Sequence, residues 1–268
     1  MKRIRRYLIV LAVLSLVCLY GLTLYPHSPV IPSGGSLEAP SAAHYLGTDN
    51  LGIDIFAQLS KGFFLSMMTG IVTAAIAFLA GGILGVLSGY RGGRTDYIIS
   101  FLINVFLSVP QLPVMIVIGA FWGQSIWNII WIISAFSWAP IAKQVRAKVM
   151  SVKNREYTVL AKSYGAGPWY IVRKHMMGEV MPLLLVNSIA VTGKTIVQES
   201  SLAYLGLSDP LAKSWGLMIQ KAAAFSGIYF TEYWKWWLVP PVVMLVATIL
   251  CLRLLSQAAE KYLLEERG

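Results

Sequence analysis

Residues 63–90 read FFLSMMTGIVTAAIAFLAGGILGVLSGY, a run with no charged side chain. A helix needs about 20 mostly apolar residues to cross bilayer hydrocarbon, so this stretch spans a membrane with length to spare. The rest of the chain agrees. Hydrophobic residues make up 57% of its 268 positions and charged residues 13%, against about 25% charged in ordinary soluble domains. Mean hydropathy is +0.66. A soluble fold of this size has no means of hiding so much apolar surface. Disorder, a disulfide scaffold and an ordinary cytosolic enzyme are excluded, leaving a polytopic membrane protein. Cys18 and Cys251 both sit in apolar runs and read as small buried hydrophobes.

Working outward from residues 63–90, five further stretches qualify as spans: about 7–25, 97–121, 126–142, 180–205 and 236–255. The expectation is an all-α bundle of six transmembrane helices forming one domain over residues 1–268. The first stretch follows a basic head, as a signal peptide would. Its apolar run is longer than a typical signal core, and Tyr25-Pro26-His27-Ser28-Pro29 offers no small-x-small cleavage site, so it reads as an uncleaved span.

Six spans place both termini on one side. Seventeen of the 22 Lys and Arg residues fall there: Lys2, Arg3, Arg5 and Arg6; Arg91 and Arg94; eight between Lys143 and Lys174; and Arg253, Lys261 and Arg267. The positive-inside rule makes that side cytoplasmic. The net charge of +10 is therefore a topology signal. No basic patch interleaved with aromatics suggests nucleic acid. Residues 26–62 and 206–235 lie outside, and residues 143–179 form the one sizeable inner loop.

Machinery for catalysis is not visible. Gly193-Lys194-Thr195 mimics the tail of a nucleotide-binding loop, but Ser188 stands where its upstream glycine belongs. His27, His44 and His175 are scattered, without ligand spacing. No nucleophile-elbow or zinc-protease pattern occurs. Energy for uphill movement must come from a partner or an ion gradient.

The inner loop carries the most information. Asn154 is suited to cap a helix, with Glu156 in its first turn. Tyr157, Leu160, Ala161 and Tyr164 then recur at helical spacing as one apolar face. Gly165 stops that helix, and Gly167-Pro168 starts a second whose apolar side holds Trp169, Val172 and Met176. The same pattern suits a helix lying on lipid headgroups and a knob fitting a groove in a cytoplasmic partner.

The segment from Glu156 to Gly165, EYTVLAKSYG, resembles the EAA loop of ABC-importer permeases, which docks on the ATPase subunit. It keeps Ala161 and Gly165 and departs at Val159, Leu160 and Gly178, where the motif has Glu, Ala and Pro. Residues 44–54, HYLGTDNLGID, are similar to the HxLGTDxLGxD signature of the peptide/nickel permeases. Residues 199–207, ESSLAYLGL, followed by Ser214-Trp215-Gly216, resemble their ExSLSFLGLG…WG stretch. With three motifs in register, the chain is identified as a member of that family, on the C-type side.

The resemblance implies an ABC-importer type I permease fold in a bacterial plasma membrane, with both termini cytoplasmic. It implies a heterodimer with a second, homologous permease, two ATPase subunits that bind ATP and Mg, and an extracytoplasmic binding protein. No cofactor, metal or catalysis is expected in this chain. Glu156, Tyr157, Leu160, Ala161, Tyr164 and Gly165 are the implied ATPase-coupling residues. Gly165-Ala166-Gly167 and His175-Met176-Met177-Gly178 look closer to nickel-type permeases, which points to nickel or a metal–chelator complex. The alternative is a dipeptide or oligopeptide importer. More remote is an ATPase-independent channel or carrier.

In the outer motif, Gly47, Thr48, Asp49, Gly52 and Asp54 supply turn glycines and short side chains that bond their own backbone. A calcium loop lacks support, because an EF-hand's alternating ligands and terminal Glu are missing. Ile55, Phe56 and Leu59 then suit a short interfacial helix. In the fifth span Ser188, Thr192, Thr195 and Glu199 share one face, and Asn187, Lys194 and Gln198 form a neighbouring stripe. The first set reads as a candidate translocation path, as inter-helix hydrogen bonding, or as a Glu199 that snorkels near the outer surface. Gly81, Gly85 and Gly89 mark close helix packing, Pro110 and Pro113 a kinked third span. Trp127, Trp131, Trp234, Trp236 and Trp237 read as interface anchors.

Overall fold

A computed structural model describes residues 2–265, so Arg267 of the inner charge set lies outside the described residues. The chain is all-helical, with α1 (Lys2–Thr23), α2 (Ile55–Arg91), α3 (Gly93–Ser108), α4 (Gln111–Trp122), α5 (Ile126–Lys153) and α6 (Glu156–Ser163) in its first two-thirds. Then follow α7 (Pro168–Ile171), a π-turn (Val172–Met176), α8 (Met177–Tyr204), α9 (Trp215–Ala224), α10 (Trp234–Trp237) and α11 (Val239–Glu265). Among the described residues five helical stretches are long and apolar enough to cross a membrane, or six where one bent pair is counted as a single span.

That bent pair corrects the expected third span. Instead of one kinked helix over 97–121, α3 and α4 meet at 89°. At 1.5 Å per residue the 16-residue α3 reaches about 24 Å, short of a hydrocarbon core of about 30 Å. The cause is local. Val109 precedes a proline and is driven to extended backbone (φ −81°, ψ 131°). Pro110 caps α4, and Pro113 sits in its first turn, where no amide donor is needed.

Other boundaries move for equally local reasons. Ile55, Phe56 and Leu59 form no separate interfacial helix; they are the opening turns of the 37-residue α2. The fourth span runs past residue 142 to Lys153, carrying its basic residues on one rigid helix. Asn154 caps its C-terminal end, and Arg155, not Asn154, is the N-cap of α6. The second helix of the inner loop is no separate element either. From Pro168 the chain runs as one helical rod to Tyr204, absorbing one extra residue where the Met177 amide bonds the Val172 carbonyl.

α2 is the central post, packed on α5, α8 and α1. Its three spaced glycines lie against α5. A Cβ on Gly81 would sit 2.8 Å from Ile141 Cβ, one on Gly85 2.7 Å from Val145 Cβ, and one on Gly89 2.9 Å from Val149 Cβ. With those atoms absent, the ridge Ile141–Val145–Val149 beds directly onto the α2 backbone and is fully buried. α1 keeps most of its apolar side chains exposed, as a lipid-facing helix does. Its N-terminal end lies beside α11, where the Cys251 thiol donates to the Tyr7 carbonyl at 3.3 Å. Both cysteines are buried free thiols. Trp127, Trp131 and Trp234 are exposed as anchors should be, whereas Trp237 is 3% exposed and belongs to the core with Phe63 and Trp215.

Candidate functional site: the elbow, the outer knot and the central groove

The elbow starts with a helix that the sequence tells how to end. After Ser163 the chain turns through Gly165 at φ +84°, a left-handed value that side chains resist. The Ala166 amide bonds the Ala161 carbonyl and the Gly165 amide the Lys162 carbonyl, the two bonds of a Schellman stop. Pro168 then opens the next helix at its first position. The joint is clamped from both sides. Glu179 lies 2.8 Å from Lys148 Nζ and 3.7 Å from Arg155 Nη1. The Tyr157 ring lies against His175, centroids 5.5 Å apart.

The expected coupling residues are brought together on this elbow, and the apolar ones face outward. Leu160 is 56% exposed, Tyr164 88% and Trp169 75%. Glu156 opens α6, Tyr157 and Gly165 are also exposed, and Ala161 is half-buried. The residue turned inward is Thr158. A hydrophobic knob on a rigid base is the result.

At the opposite end, residues 26–54 fold into a knot of turns. Asp54 Oδ1 caps α2 by accepting from the Ala57 amide at 2.9 Å. Its Oδ2 accepts from the Tyr25 hydroxyl at 2.9 Å and from His44 Nδ1 at 2.8 Å. Asp49 Oδ1 accepts from the Leu51 and Ile53 amides, and Gln58 donates to Oδ2. Thr48 pairs with Asp54 across a single bridge and donates to the Gly35 carbonyl. Gly47 and Gly52 sit at φ +72° and +76°, with carbonyls of Glu38 and Gly34 where a Cβ would go. The outer motif is a structural knot.

Sequence spacing missed one gathering. His27 and His44 stack with ring centroids 4.5 Å apart, and their ligand atoms lie within 4.8 Å of one another and of Asp54. The histidines are therefore not all scattered. Both oxygens of Asp54 are already engaged, and His27 Nε2 donates to the Ala43 carbonyl, so the group is a hydrogen-bond network bracing the cap.

The fifth-span residues divide differently from the expectation. Thr195 and Glu199 are fully buried inside the chain, and Thr192, 6% exposed, borders the same smaller recess as Ser188. Thr192 packs at Gly70 of α2. Glu199 lies sealed where α9 docks on α8, near the hydroxyls of Ser200 and Ser214. That docking is tight: Trp215 is fully buried and donates to the Leu59 carbonyl at 3.1 Å, and a Cβ on Gly216 would lie 2.5 Å from Ser200 Cα. The WG stretch is a packing device. Ser188 is half-buried, donates to the Leu184 carbonyl and borders a smaller recess.

Two residues of the neighbouring stripe, Lys194 and Gln198, face a long concavity, whereas Asn187 does not line it and donates to Gln144 Oε1 at 3.1 Å. A groove of ≈ 910 Å³ runs between the start of α4, α8 and α11, lined by Gln111, Lys194, Gln198, Arg253 and Glu260. Lys194 Nζ donates to Gln111 Oε1 at 2.9 Å, and Gln198 Nε2 donates to the same oxygen at 3.2 Å.

Comparison with known proteins agrees with this architecture. The family described as "Binding-protein-dependent transport system inner membrane component" matches residues 81–265. A dipeptide transport system permease protein of Bacillus subtilis is 36% identical over 214 residues, 79% of this chain and 67% of that protein. A probable D,D-dipeptide transport system permease protein of Escherichia coli is 29% identical over 90% of this chain and 80% of its own length. An oligopeptide transport system permease protein of B. subtilis is 32% identical over 79% of this chain and 68% of its own. A chain of the inward-facing MetNI methionine ABC transporter superposes with a TM-score of 0.60 at 17% identity, covering 76% of this chain and 94% of that one.

Proposed function

The chain belongs to the family of binding-protein-dependent transport system inner membrane components, and from that premise we propose that it pairs with a second, homologous permease to conduct peptides inward. It is a multi-pass inner-membrane permease subunit of an ABC importer and is itself non-catalytic. ATPase subunits and a binding protein are its implied partners. In our reading the helices of residues 1–268 act as one permease unit with both termini cytoplasmic. Two ATPases sit below the elbow and the binding protein sits above the outer knot.

The dipeptide and oligopeptide relatives support the peptide alternative over the nickel reading. So does geometry. The residues that suggested nickel, Gly165–Gly167 and His175–Gly178, build the elbow's turn and joint and do not line the groove. An ATPase-independent carrier needs paired ionisable groups deep in its spans. Lys194 and Glu199 are five residues apart on α8, about 140° around the helix from each other, and Glu199 is sealed.

One observation carries the coupling role: Leu160, Tyr164 and Trp169 are exposed on a base pinned by Glu179 and continuous with α8. Large apolar side chains left uncovered on a rigid base suit a docking surface. A load applied there moves the rod from Pro168 to Tyr204, whose far half carries Lys194 and Gln198 in the groove. Nucleotide-driven closure of the ATPases thus rocks the groove between outward and inward access. The test is Tyr164→Cys in the assembled transporter, cross-linked to cysteines on the ATPase surface. Cross-linking that changes with ATP is expected, together with lost uptake in Leu160→Glu. Absence of any cross-link, or normal uptake by Leu160→Glu, overturns the role.

A further inference from the structure

Lys194 is an ammonium in the middle of a membrane helix, set 2.9 Å from the neutral Gln111 Oε1. Among the described residues no carboxylate lies within 4.0 Å of it. A cation at such depth is expensive and marks a water-filled route or a missing anion. Two further features of the groove point the same way.

The first is the start of α4. The 89° break brings the N-terminus of this 12-residue helix to the groove wall through Gln111, with no side chain capping it. Pro110 and Pro113 have no N–H, so the amides offered here are those of Gln111 and Leu112, which have no partner inside the helix and lie at the positive end of its dipole. The second is Gln198. It is 7% exposed, it lines the groove, and its Oε1 has no hydrogen-bond partner, although its Nε2 reaches Gln111 at 3.2 Å and Met115 Sδ at 3.9 Å. A buried acceptor left unmade costs free energy that an incoming donor recovers. The wall therefore offers a cation and a helix N-terminus, and one turn along the same helix face lies a buried acceptor without a partner.

We propose that Lys194 and Gln198 read the C-terminal end of a peptide as it passes. The peptide's free carboxylate displaces Gln111 from Lys194 and faces the α4 N-terminus. With Gln111 displaced, the Gln198 amide loses its partner there and turns its Oε1 to the groove, where it accepts the N–H of the peptide's last amide bond. A peptide ammonium is repelled from Lys194, so passage is oriented. Arg253 and Glu260, on α11, add one charge of each sign to the groove lining. This inference rests on the peptide-import reading and adds to it the chemical group that is recognised.

The test uses the complete transporter, with partner permease, ATPases and binding protein, in proteoliposomes. Uptake of a radiolabelled dipeptide is compared with that of the same dipeptide amidated at its C-terminus. Each rate is normalised to binding-protein occupancy measured separately. The unaltered transporter is expected to prefer the free carboxylate by about tenfold, the scale of one charge-assisted hydrogen bond. Lys194→Gln should erase that preference and Lys194→Arg retain it. Equal normalised uptake of both peptides by the unaltered complex overturns the assignment without any variant having to fold. So does a Lys194→Gln complex that keeps the preference. An unaltered complex that carries neither peptide while hydrolysing ATP overturns the peptide-import reading, and the Lys194 assignment with it.

Discussion

Arg146 grips Asp96 with two prongs, Nε on Oδ1 and Nη2 on Oδ2 at 2.7 Å, joining residues fifty positions apart. Ser88 and Ser100 donate to the same carboxylate, so α2, α3 and α5 are tied at one point near the elbow end. Because α3 alone is too short to cross the bilayer, this tie fixes its position. Arg146→Leu leaves Asp96 without its counter-charge. A loss of about 1–2 kcal/mol is expected once the pair's partial exposure is allowed for. It would be read as a lower midpoint for thermal unfolding of the detergent-purified transporter, with Arg146→Lys intermediate. An unchanged midpoint in Arg146→Leu refutes the tie.

The α2–α5 contact is more sensitive still. A Cβ on Gly85 would fall 2.7 Å from Val145 Cβ and 2.8 Å from the Ala142 carbonyl, on backbone that has nowhere to go. Gly85→Leu is expected to cost about 3 kcal/mol and to lower the yield of assembled protein sharply. Gly178→Ala is the control, since nothing lies within 4 Å of that Cβ and the site is helical. It should be neutral or slightly stabilising. Equal yields for the two variants would remove the close-packing account.

Much of this was legible in residue order. Apolar runs gave the spans because bilayer thickness sets their length, and Gly165 with Pro168 gave the elbow because each has a strong backbone preference. Three things were not legible. Pro110 and Pro113 announced a break but not its 89°, which depends on what α3 and α4 pack against. The pairing of His27 with His44 was hidden, since the turns between them, not their spacing, bring the rings together. Period alone also does not say which polar stripe of α8 faces the groove. Thr192, Thr195 and Glu199 were as eligible as Lys194 until Thr195 and Glu199 were seen to be fully buried and Thr192 to pack at Gly70 of α2.

Asp54 anchors the outer knot through three donors on different elements: the Ala57 amide, the Tyr25 hydroxyl and the His44 ring. Asp54→Ala removes a helix cap and strands two buried donors, costing about 2–3 kcal/mol. Asp54→Asn retains an acceptor for the cap and should lose less. Limited proteolysis of residues 26–54 in sealed, inside-in vesicles measures this directly. Faster cleavage in Ala than in Asn than in the parent is the expected order, and identical rates refute the anchor.

Lys213, in the segment before α9, is 6% exposed, and among the described residues no carboxylate lies within 4.0 Å of it. Burial, reinforced by repulsion from Lys221 and Lys61, pulls its ammonium below the ordinary lysine value of 10.5, against the opposing pull of Asp49. Between the lowered folded value and 10.5 the unfolded chain binds more protons, so this group adds stability as pH rises through that window and removes it below. Lys213→Met removes the burden. The variant should melt at a higher temperature at neutral pH and should lose the alkaline gain in stability. An earlier melt at neutral pH would mean that the charge is compensated after all.

Gly165 separates folding from coupling. Its φ of +84° strains any side chain, yet nothing lies within 4 Å of a Cβ there. Gly165→Ala therefore meets no clash and pays backbone strain alone, about 1–2 kcal/mol confined to an exposed turn. The helices on either side keep their contacts, and membrane insertion should be normal. What changes is the angle between α6 and the rod that starts at Pro168, and with it the seat of Tyr164 and Trp169. Uptake by the assembled transporter should fall steeply in Gly165→Ala and further in Gly165→Val, while ATP hydrolysis persists without its usual stimulation by loaded binding protein. Normal, stimulated uptake in Gly165→Val would mean that the turn's geometry carries no load, and the elbow would lose its claim to be the point where the ATPases push.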